Sequence, residues 1–587
     1  MRVAKIFYPL MFILNTFSKF SFFLLLVAIS AAQTFSKEDP LYSGKARFHP
    51  VVAKNAMVAS ENSYATNAGL QVLKEGGNAV DAAVTIGFTL AVTFPRAGNL
   101  GGGGFMLVYL AEKDEVISID YREKAPLQAS RDMFLDQEGN VDKEKSQNSI
   151  LSAGVPGTVA GLTLALEKYG TISLERALQP AIKLAQNGFP VDHELSKSLG
   201  QAKKRMEKSP ASMEIFYKEN GAPYEEGELL TQEDLAWSLK QISKNGSKAF
   251  YNGAISKKID SFMKQNGGLI RSHDLKNYKA VTRKPVEGSY RGYEIYSMPP
   301  PSSGGVHLIQ MLNILEQFPL SSFGHNTAKT IHIFAETMKH AYADRSKHLG
   351  DPDFSPIPIS GLISKKYAES IKERINMKRA TPSNEILPGD PGAQEGINTT
   401  HFSVMDGEGN AVSNTYTLNF SYGSKITVPG TGILLNNEMD DFSAKPGSPN
   451  AYGLVGGKLN AIAPDKRMLS SMSPTIVMKD GRPFLVTGSP GGSRIITTVL
   501  QIIVNVIDFN MNISEATNAV RVHHQWLPDV LNVETGLSED TINILREMGY
   551  KVEIGSTIGV AESIIKKGDY LYGASDPRRP GGLTAGY

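Results

Sequence analysis

The sequence contains no cysteine among its 587 residues. This absence excludes disulfide bonds, thiol catalysis and zinc sites built from cysteine ligands. The nucleophile-elbow motif GxSxG is also missing, which argues against a serine hydrolase of that type. Stability must therefore come from the packed core.

A strong excess of either charge is absent as well. There are 61 lysines and arginines and 59 aspartates and glutamates, a formal net charge of +2. Leaving out Arg2, Lys5 and Lys19 of the N-terminal segment reduces the basic residues to 58. A near-neutral protein has no bulk electrostatic reason to bind nucleic acid or an acidic membrane. We therefore expect no nucleic-acid partner.

Long apolar runs are confined to the N-terminus. After residue 32 no run approaches the ~20 apolar residues that span a membrane. Before it, Arg2 and Lys5 precede an apolar run at 20–29 and small residues at 30–32. This pattern predicts a removable signal peptide over residues 1–32 and a periplasmic or secreted protein. An uncleaved anchor is the alternative, because residues 6–17 are also largely apolar.

A β-hairpin is predicted two thirds of the way along the chain. A strand begins near Phe402, a turn covers residues 406–410, and a second strand covers residues 411–418. If Asp406 faces Ala411, residue numbers across the pair sum to 817. Thr399 then faces Leu418, with Thr417 and Asn419 beside it, so that hydroxyls and an amide gather at one strand end.

Glycine turns separate predicted helices at residues 63–73 and 79–91, the second of them apolar on all sides and therefore buried. Four consecutive glycines, residues 101–104, precede a strand. They have no following Lys-Ser/Thr and no helix, so a nucleotide cradle is disfavoured. Close packing of the backbone is the expected reason for them.

Three residues at helical spacing, His332, Glu336 and His340, could line one face of a predicted helix over residues 328–344. A metal site needs such a face. The HExxH spacing is absent, and we predict neither a metal nor a cofactor.

Four long motifs carry a family resemblance. They are NTTHFSVMDGEGNAVSNTYTLN, GILLNNEMDDFSAKPG, LSSMSPTIV and GSPGGSRIITTVLQ. Together they resemble the small subunit of the γ-glutamyltranspeptidases, which belong to the N-terminal-nucleophile hydrolases, and the similarity extends over residues 51–587. The resemblance implies an α/β fold, a four-layer αββα sandwich. It also implies self-cleavage between Asn398 and Thr399, giving a large subunit of residues 33–398 and a small subunit of residues 399–587 that remain together as a heterodimer.

The resemblance makes Thr399 the nucleophile. Cleavage would release its α-amino group, whose ordinary pKa of about 7.7 to 8.0 suits a general base. The β-methyl of threonine restricts χ1 and so helps to hold the hydroxyl in an attacking geometry. Thr417 is expected to hydrogen-bond Thr399, and the backbone N–H groups of Gly491 and Gly492 to form the oxyanion hole.

The same resemblance supplies the substrate contacts. Arg122 would bind the α-carboxylate of a glutamyl group, because a guanidinium can donate to both of its oxygens. Ser470 and Ser471 would assist it with hydroxyl groups. The α-ammonium group would be bound by three further residues, Asp441, Asn419 and Glu438. A lid over residues 445–457 would close through Tyr452.

The implied reaction transfers a γ-glutamyl group from glutathione or a related γ-glutamyl compound to water, an amino acid or a peptide. Two alternatives stay open. Relatives of the same fold act as cephalosporin or glutaryl acylases or cleave poly-γ-glutamate, although the set Arg122, Asp441, Ser470 and Ser471 favours a glutamyl substrate. A non-catalytic exported binding protein would be expected to have lost Thr399 or the glycine pair.

Overall fold

Two seven-stranded β-sheets form the centre of the computed structural model, which describes residues 46–387, 399–448, 450–451 and 453–587. The strands are β1 Val51–Ala53, β2 Met57–Ser60, β3 Gly103–Leu110, β4 Glu115–Tyr121, β5 Phe189–Pro190, β6 Leu229–Leu230, β7 Val281–Arg283, β8 Val286–Tyr290, β9 Tyr293–Ser297, β10 Thr400–Met405, β11 Ala411–Thr417, β12 Thr427–Val428, β13 Ile433–Leu434, β14 Thr475–Lys479, β15 Arg482–Thr487, β16 Val522–His523, β17 Leu531–Glu534, β18 Val552–Gly555, β19 Glu562–Lys567, β20 Tyr570–Ser575 and β21 Leu583–Gly586.

The strand order of the first sheet is β21-β2-β10-β11-β3-β4-β7, and that of the second is β1-β20-β19-β15-β14-β9-β8. Neighbouring strands in both are antiparallel. The sheets pack face to face through a shared apolar cluster that includes Met57, Leu107 and Met405 from the first sheet and Ile476 and Val486 from the second. Their inner faces thus form one buried layer.

Helices cover the outer face of each sheet. They are α1 Ser63–Lys74, α2 Ala79–Thr93, α3 Lys143–Asn148, α4 Thr158–Tyr169, α5 Leu174–Asn187, α6 His193–Met206, α7 Pro210–Phe216, α8 Glu233–Asn245, α9 Lys248–Tyr251, α10 Ala254–Gln265, α11 Ser272–Asn277, α12 Gly304–Leu315, α13 Leu320–Phe323, α14 Ala328–His348, α15 Ile359–Leu362, α16 Lys365–Lys372, α17 Arg494–Ile507, α18 Ile513–Asn518 and α19 Glu539–Glu547. One core cluster joins the first sheet to α1, α2 and α4–α6, and another joins the second sheet to α12, α14 and α17. The layers therefore run helix, sheet, sheet, helix, which confirms the predicted four-layer αββα sandwich.

The predicted helices near the start of this unit are present. Asn62 and Asn78 cap α1 and α2 by accepting backbone N–H groups of the first turn. All 15 residues of α2 are buried, as its uninterrupted apolar sequence predicted.

The run of glycines is explained by close packing. A Cβ added to Gly102 would lie 2.0 Å from the carbonyl oxygen of Thr417, and one added to Gly101 would lie 2.1 Å from that of Leu434. Only glycine lets the backbone approach so closely. These contacts press the loop before β3 against the end of β11, the strand that ends at Thr417.

Residues 50–587 make up one unit. In the part of the chain that the structure describes, no helix is long and apolar enough to cross a membrane. The predicted signal peptide at 1–32 lies outside the described residues, as does Asn398.

Candidate active site

The hairpin of β10 and β11 carries Thr399 at its open end. Thr400 pairs with Tyr416 and Met405 with Ala411. Residue numbers across the pair therefore sum to 816, and continuing this register places Thr399 opposite Thr417. The predicted register, with a sum of 817, was wrong by one residue.

Asp406 explains this shift, because it bonds to Asn410 within the turn and does not face Ala411 as predicted. Its N–H donates to the carbonyl of Asn410 (3.1 Å). Its carboxylate accepts the N–H groups of Glu408 (3.0 Å) and Asn410 (2.9 Å). Gly409, at φ +92°, supplies the left-handed position of the turn. The strand ends at Met405, as predicted, and Met405 is the residue that pairs with Ala411.

The corrected register brings two hydroxyl groups together. The Thr399 hydroxyl oxygen lies 3.4 Å from that of Thr417. The Thr417 hydroxyl also accepts the N–H of Asn419 at 2.8 Å. Asn419 adopts φ +75°, a conformation that asparagine tolerates better than most residues. Its side-chain amide donates to the carbonyl of Asn437 (2.9 Å), which directly precedes the 3₁₀ turn Glu438–Asp441.

A buried ion network occupies the other side of the site. Arg122 follows β4 and is fully buried. One of its terminal nitrogens donates to Glu438 and the other to Asp441, both at 2.5 Å. Glu123 lies 3.4 Å from the first of these nitrogens, and the Arg122 Nε donates to the carbonyl of Met468 (3.3 Å). The guanidinium thus ties the segment after β4 to the 3₁₀ turn Glu438–Asp441.

Burial and mutual proximity shift the pKa values of this network. Burial raises the pKa of the Glu123 carboxyl to about 7, although Arg122 opposes the shift. Burial also raises the pKa of Glu438 well above its ordinary value and that of Asp441 in the same direction. Burial alone would lower the pKa of Arg122, but the three carboxylates raise it. The guanidinium therefore stays charged while its carboxyl partners compete for protons.

Ser470 and Ser471 lie on a segment held by the turn before α12. The N–H of Ser470 donates to the carbonyl of Pro301 (2.8 Å), and the Ser303 hydroxyl donates to the carbonyl of Ser470 (2.7 Å). The Ser302 hydroxyl donates to the carbonyl of Met472 (2.6 Å). The sequence PSSG at 301–304 is therefore a support for the two serines.

Gly491 and Gly492 form the turn that begins α17. Their φ angles of 137° and 54° are conformations that glycine adopts without strain. The carbonyls of both accept backbone N–H groups from Arg494 and Ile495 in the first turn of the helix. Their own N–H groups come before that helix, at its positive end.

These elements line a cavity that is partly open to solvent, with a volume of about 310 Å³ including its mouth. Its lining includes nine residues predicted from the sequence: Arg122, Thr399, Thr417, Asn419, Glu438, Asp441, Ser470, Ser471 and Gly492. Gly491 adjoins the lining without being part of it. Tyr452, the predicted latch, lies outside the described residues.

Comparison with known proteins identifies the family. A model described as gamma-glutamyltranspeptidase matches residues 65–586. A glutathione hydrolase proenzyme of Escherichia coli (strain K12) is 56% identical over 542 residues, which cover 92% of this chain and 93% of that protein. The chain belongs to the γ-glutamyltranspeptidase family. The predicted family and the predicted enzyme class are thereby confirmed, and the chain is an enzyme of γ-glutamyl transfer and hydrolysis.

Solved structures of the γ-glutamyltranspeptidase family and of its acylase relatives agree with the fold. A cephalosporin acylase from Bacillus halodurans superposes with a TM-score of 0.82 at 27% identity, covering 94% of this chain and 99% of that one. A γ-glutamyltranspeptidase from Helicobacter pylori is 50% identical with a TM-score of 0.55, covering 57% of this chain and 96% of that one. The fold is thus shared by enzymes named for two different acyl substrates.

Sequence reasoning missed four residues that line the cavity. They are Arg345, Leu454, Met472 and Ile495. Leu454, Met472 and Ile495 lie within or beside the motifs already recognised. Arg345 is in the last turn of α14, and no motif surrounds it. Only the fold brings it to the site.

The helical cluster of His332, Glu336 and His340 has a different role. The two ring nitrogens of His332 contact the hydroxyl of Tyr550 and the carbonyl of Asn376, both at 2.8 Å. Glu336 accepts from Lys339 (3.0 Å). Within the described ranges, no group of three or more His, Cys, Asp or Glu side chains could hold a metal ion. These contacts fasten the segment that follows α16 to helix α14.

Part of the predicted lid contacts the ion network. Asn450 donates to Asp441 through its side-chain amide (3.2 Å). The N–H of Ala451 donates to Asp440 (3.1 Å), which also accepts the Ser146 hydroxyl (2.8 Å). Two adjacent carboxylates therefore hold this end of the loop, one of them also bound to Arg122.

Proposed function

We propose that this chain cuts itself between Asn398 and Thr399 and then transfers the γ-glutamyl group of glutathione through an ester on Thr399. The observation that carries the proposal is that Thr399 lines one cavity together with a buried guanidinium, its two carboxylate partners and two serines. Such a set suits a substrate with a carboxylate and an ammonium group on one carbon. Relatives named glutathione hydrolase proenzymes support glutathione as the donor and a proenzyme as the precursor.

The self-cleavage step needs only Thr399 and water. Its hydroxyl attacks the carbonyl carbon of Asn398, the C–N bond breaks, and an ester with a free amine results. Water then hydrolyses the ester and leaves a carboxylate on Asn398. The products would be a large subunit of residues 33–398 and a small subunit of residues 399–587, held together as a heterodimer by the shared sheets.

The released α-amine would act as the general base. It takes the proton of the Thr399 hydroxyl as the oxygen attacks the γ-carbonyl, and it returns the proton to the leaving amine. The Thr417 hydroxyl, 3.4 Å away, helps to fix the orientation of the nucleophile. The acyl-enzyme ester then reacts with water, or with the amino group of an amino acid or peptide.

The turn at Gly491 and Gly492 would stabilise the oxyanion of that step. Its N–H groups come just before the N-terminus of α17, where the helix dipole favours negative charge. The buried position of the turn strengthens such hydrogen bonds.

Substrate recognition would divide between two ends of the cavity. Arg122, Ser470 and Ser471 would receive the α-carboxylate. Asp441 and Glu438, with Asn419, would receive the α-ammonium group, and Tyr452 would close the lid. Arg122 is already paired with both carboxylates, so the substrate zwitterion would enter an existing network of opposite charges. The exported location expected from residues 1–32 belongs to the same proposal.

An acylase is the second candidate, because the chain resembles the Bacillus halodurans cephalosporin acylase over 94% of its length. An acylase of glutaryl substrates does not need the α-ammonium group. The carboxylates of Asp441 and Glu438 favour a substrate that has it.

One experiment separates these possibilities. Wild type and Thr399→Ala are purified and compared by denaturing electrophoresis and intact mass, then assayed with γ-glutamyl anilide and glutaryl anilide. We expect the wild type to give two fragments that meet at residues 398 and 399 and to act on γ-glutamyl anilide. Thr399→Ala should remain one uncut chain without this activity. An uncut wild type with full activity would refute the mechanism. Cleavage with activity on glutaryl anilide alone would favour the acylase.

A further inference from the structure

The cavity contains a second buried arginine besides Arg122. Arg345, in the last turn of α14, is 4% exposed and lines the cavity with Arg122. Its Nε donates to the Ser303 hydroxyl (2.9 Å), and one terminal nitrogen donates to the Ser471 hydroxyl (3.2 Å). Its hydrogen-bond partners are thus neutral.

The two arginines differ in how their charge is balanced. Each terminal nitrogen of Arg122 has a carboxylate oxygen at 2.5 Å. Among the described residues, no carboxylate oxygen lies within 4.0 Å of Arg345. Burial lowers the pKa of Arg345 to about 10, so it is still charged at neutral pH. The Asp441 carboxylate also favours the charged form of Arg345, but it is paired directly with Arg122. A buried cation without a carboxylate of its own is costly unless a ligand supplies one.

The hydrogen-bond directions show where that ligand would bind. The Ser471 oxygen accepts from Arg345, and the Ser470 oxygen accepts the N–H of Met472 (3.1 Å). Each serine therefore uses its oxygen as an acceptor within the protein and keeps its proton for a further acceptor. Two hydroxyl donors beside a positive charge that lacks a directly paired carboxylate suit a carboxylate ligand.

Ser303 connects Arg345 to the same segment. Its hydroxyl oxygen accepts from the Arg345 Nε and its proton goes to the carbonyl of Ser470. Gly304 allows the approach, since a Cβ there would lie 2.5 Å from the carbonyl oxygen of Met472. The end of α14, the start of α12 and the two serines thus form one connected hydrogen-bonded unit.

We propose that Arg345 is a specificity-determining residue: it orients the Ser471 hydroxyl as a donor and supplies a positive charge, without a directly paired carboxylate, that selects a substrate with an α-carboxylate. The inference rests on the proposed function, since it concerns the glutamyl end of the substrate. Arg122, which is paired with Glu438 and Asp441, keeps its proposed direct contact with the α-carboxylate.

The test compares two substrates that differ only in the carboxylate. γ-Glutamyl anilide has it, and 4-aminobutyryl anilide lacks it while keeping the amine. The variants are Arg345→Gln, Arg345→Lys and Ser471→Ala. The control is Arg291→Gln, which changes an arginine outside the cavity that bonds to Asp508 and to the carbonyl of Glu316.

In Arg345→Gln we expect the KM for γ-glutamyl anilide to rise about tenfold to a hundredfold, as for loss of a charge-assisted hydrogen bond. kcat should change less than about threefold. Turnover of 4-aminobutyryl anilide should be unchanged. The ratio of kcat/KM for γ-glutamyl anilide to that for 4-aminobutyryl anilide should therefore fall as the KM for γ-glutamyl anilide rises. Arg345→Lys should recover part of the loss, and Arg291→Gln should match the wild type.

Equal losses of kcat/KM for both substrates in Arg345→Gln would overturn the inference, because a general structural role would produce them. Unchanged kinetics would do the same. If Arg345→Gln does not fold, the kinetics of Arg345→Lys and Ser471→Ala on the same two substrates replace it.

Binding of the free amino acids separates this inference from the proposed function. We expect L-glutamate, but not 4-aminobutyrate, to raise the thermal midpoint of the wild type, and Arg345→Gln to lose that shift. This holds even if the wild type does not turn over γ-glutamyl anilide, a result that would refute the proposed function alone. A wild type stabilised equally by both amino acids, or by neither, would overturn the inference.

Discussion

Thr399 lies opposite Thr417 across the end of the β10–β11 hairpin, with 3.4 Å between their hydroxyl oxygens. The pairing follows from the turn at 406–410, seven residues away, because each strand carries the register set there to its far end. The neighbouring Thr400 is different. In the part of the chain that the structure describes, its buried hydroxyl has no hydrogen-bond partner.

The first prediction concerns these three threonines. Thr399→Ala should leave the chain uncut and lower γ-glutamyl anilide turnover at least about a thousandfold, since nucleophile and base are lost together. Thr417→Val should lower kcat about threefold to tenfold, the value of one neutral hydrogen bond, and Thr417→Ser should restore it. Intact mass and steady-state kinetics measure both effects.

Thr400→Val is the matched control, because it removes an unpartnered hydroxyl at constant shape. The variant should cleave itself and turn over γ-glutamyl anilide like the wild type. A Thr400→Val chain as inactive as Thr399→Ala would mean that the nucleophile has been assigned to the wrong threonine.

The second prediction concerns the partners of Arg122. Asp441→Asn leaves the buried guanidinium with one strong carboxylate partner and removes a proposed ammonium contact. We expect kcat/KM for γ-glutamyl anilide to fall on the order of a hundredfold, mostly through KM. Glutaryl anilide, which lacks the ammonium group, should be affected much less. An equal loss of kcat/KM on both substrates would mean that Asp441 positions Arg122 and does not bind the ammonium group.

The third prediction tests the glycine packing. Gly102→Ala places a methyl group only 2.0 Å from the carbonyl oxygen of Thr417. The free energy of unfolding should fall by about 1–3 kcal/mol or more, and self-cleavage should slow because β11 must move. Gly361→Ala is the control, since a Cβ there meets nothing within 4 Å. Urea unfolding of both variants provides the comparison; equal midpoints would count against this explanation of the four glycines.

The fourth prediction is a pH dependence at Asp440. Burial raises the pKa of its carboxyl from 3.8 to about 7. Between these values the folded protein binds the extra proton, so this group's contribution to stability is complete below pH 3.8 and is lost as the pH rises to about 7.

Asp440→Asn removes that titration. The thermal midpoint of the variant should therefore fall less than that of the wild type as the pH is raised from about 4 to 7. Asp465→Asn, at an exposed position, is the control and should follow the wild type. Parallel curves for Asp440→Asn and the wild type would show that Asp440 does not titrate in this range.

Sequence patterns predicted a buried helix at 79–91, which extends to Thr93, and the close packing of the glycines, while the family resemblance implied the fold class and nine residues of the cavity. These features depend on local patterns or on long motifs whose members are near one another in the chain. The hairpin register was predicted one residue away from its observed value, because the pattern of side chains did not show that Asp406 would bond to its own turn.

Only the tertiary structure decided the charge pairing and the place of Arg345. Arg122 meets Glu438 and Asp441 from more than 300 residues away, and Arg345 meets Ser471 from another helix. No local pattern encodes such contacts, since they form only when the two sheets and their helices pack. The sequence by itself determined which chemical groups are present and which elements carry them. Packing decided which of them share a cavity, and which buried charge in it has no directly paired carboxylate among the described residues.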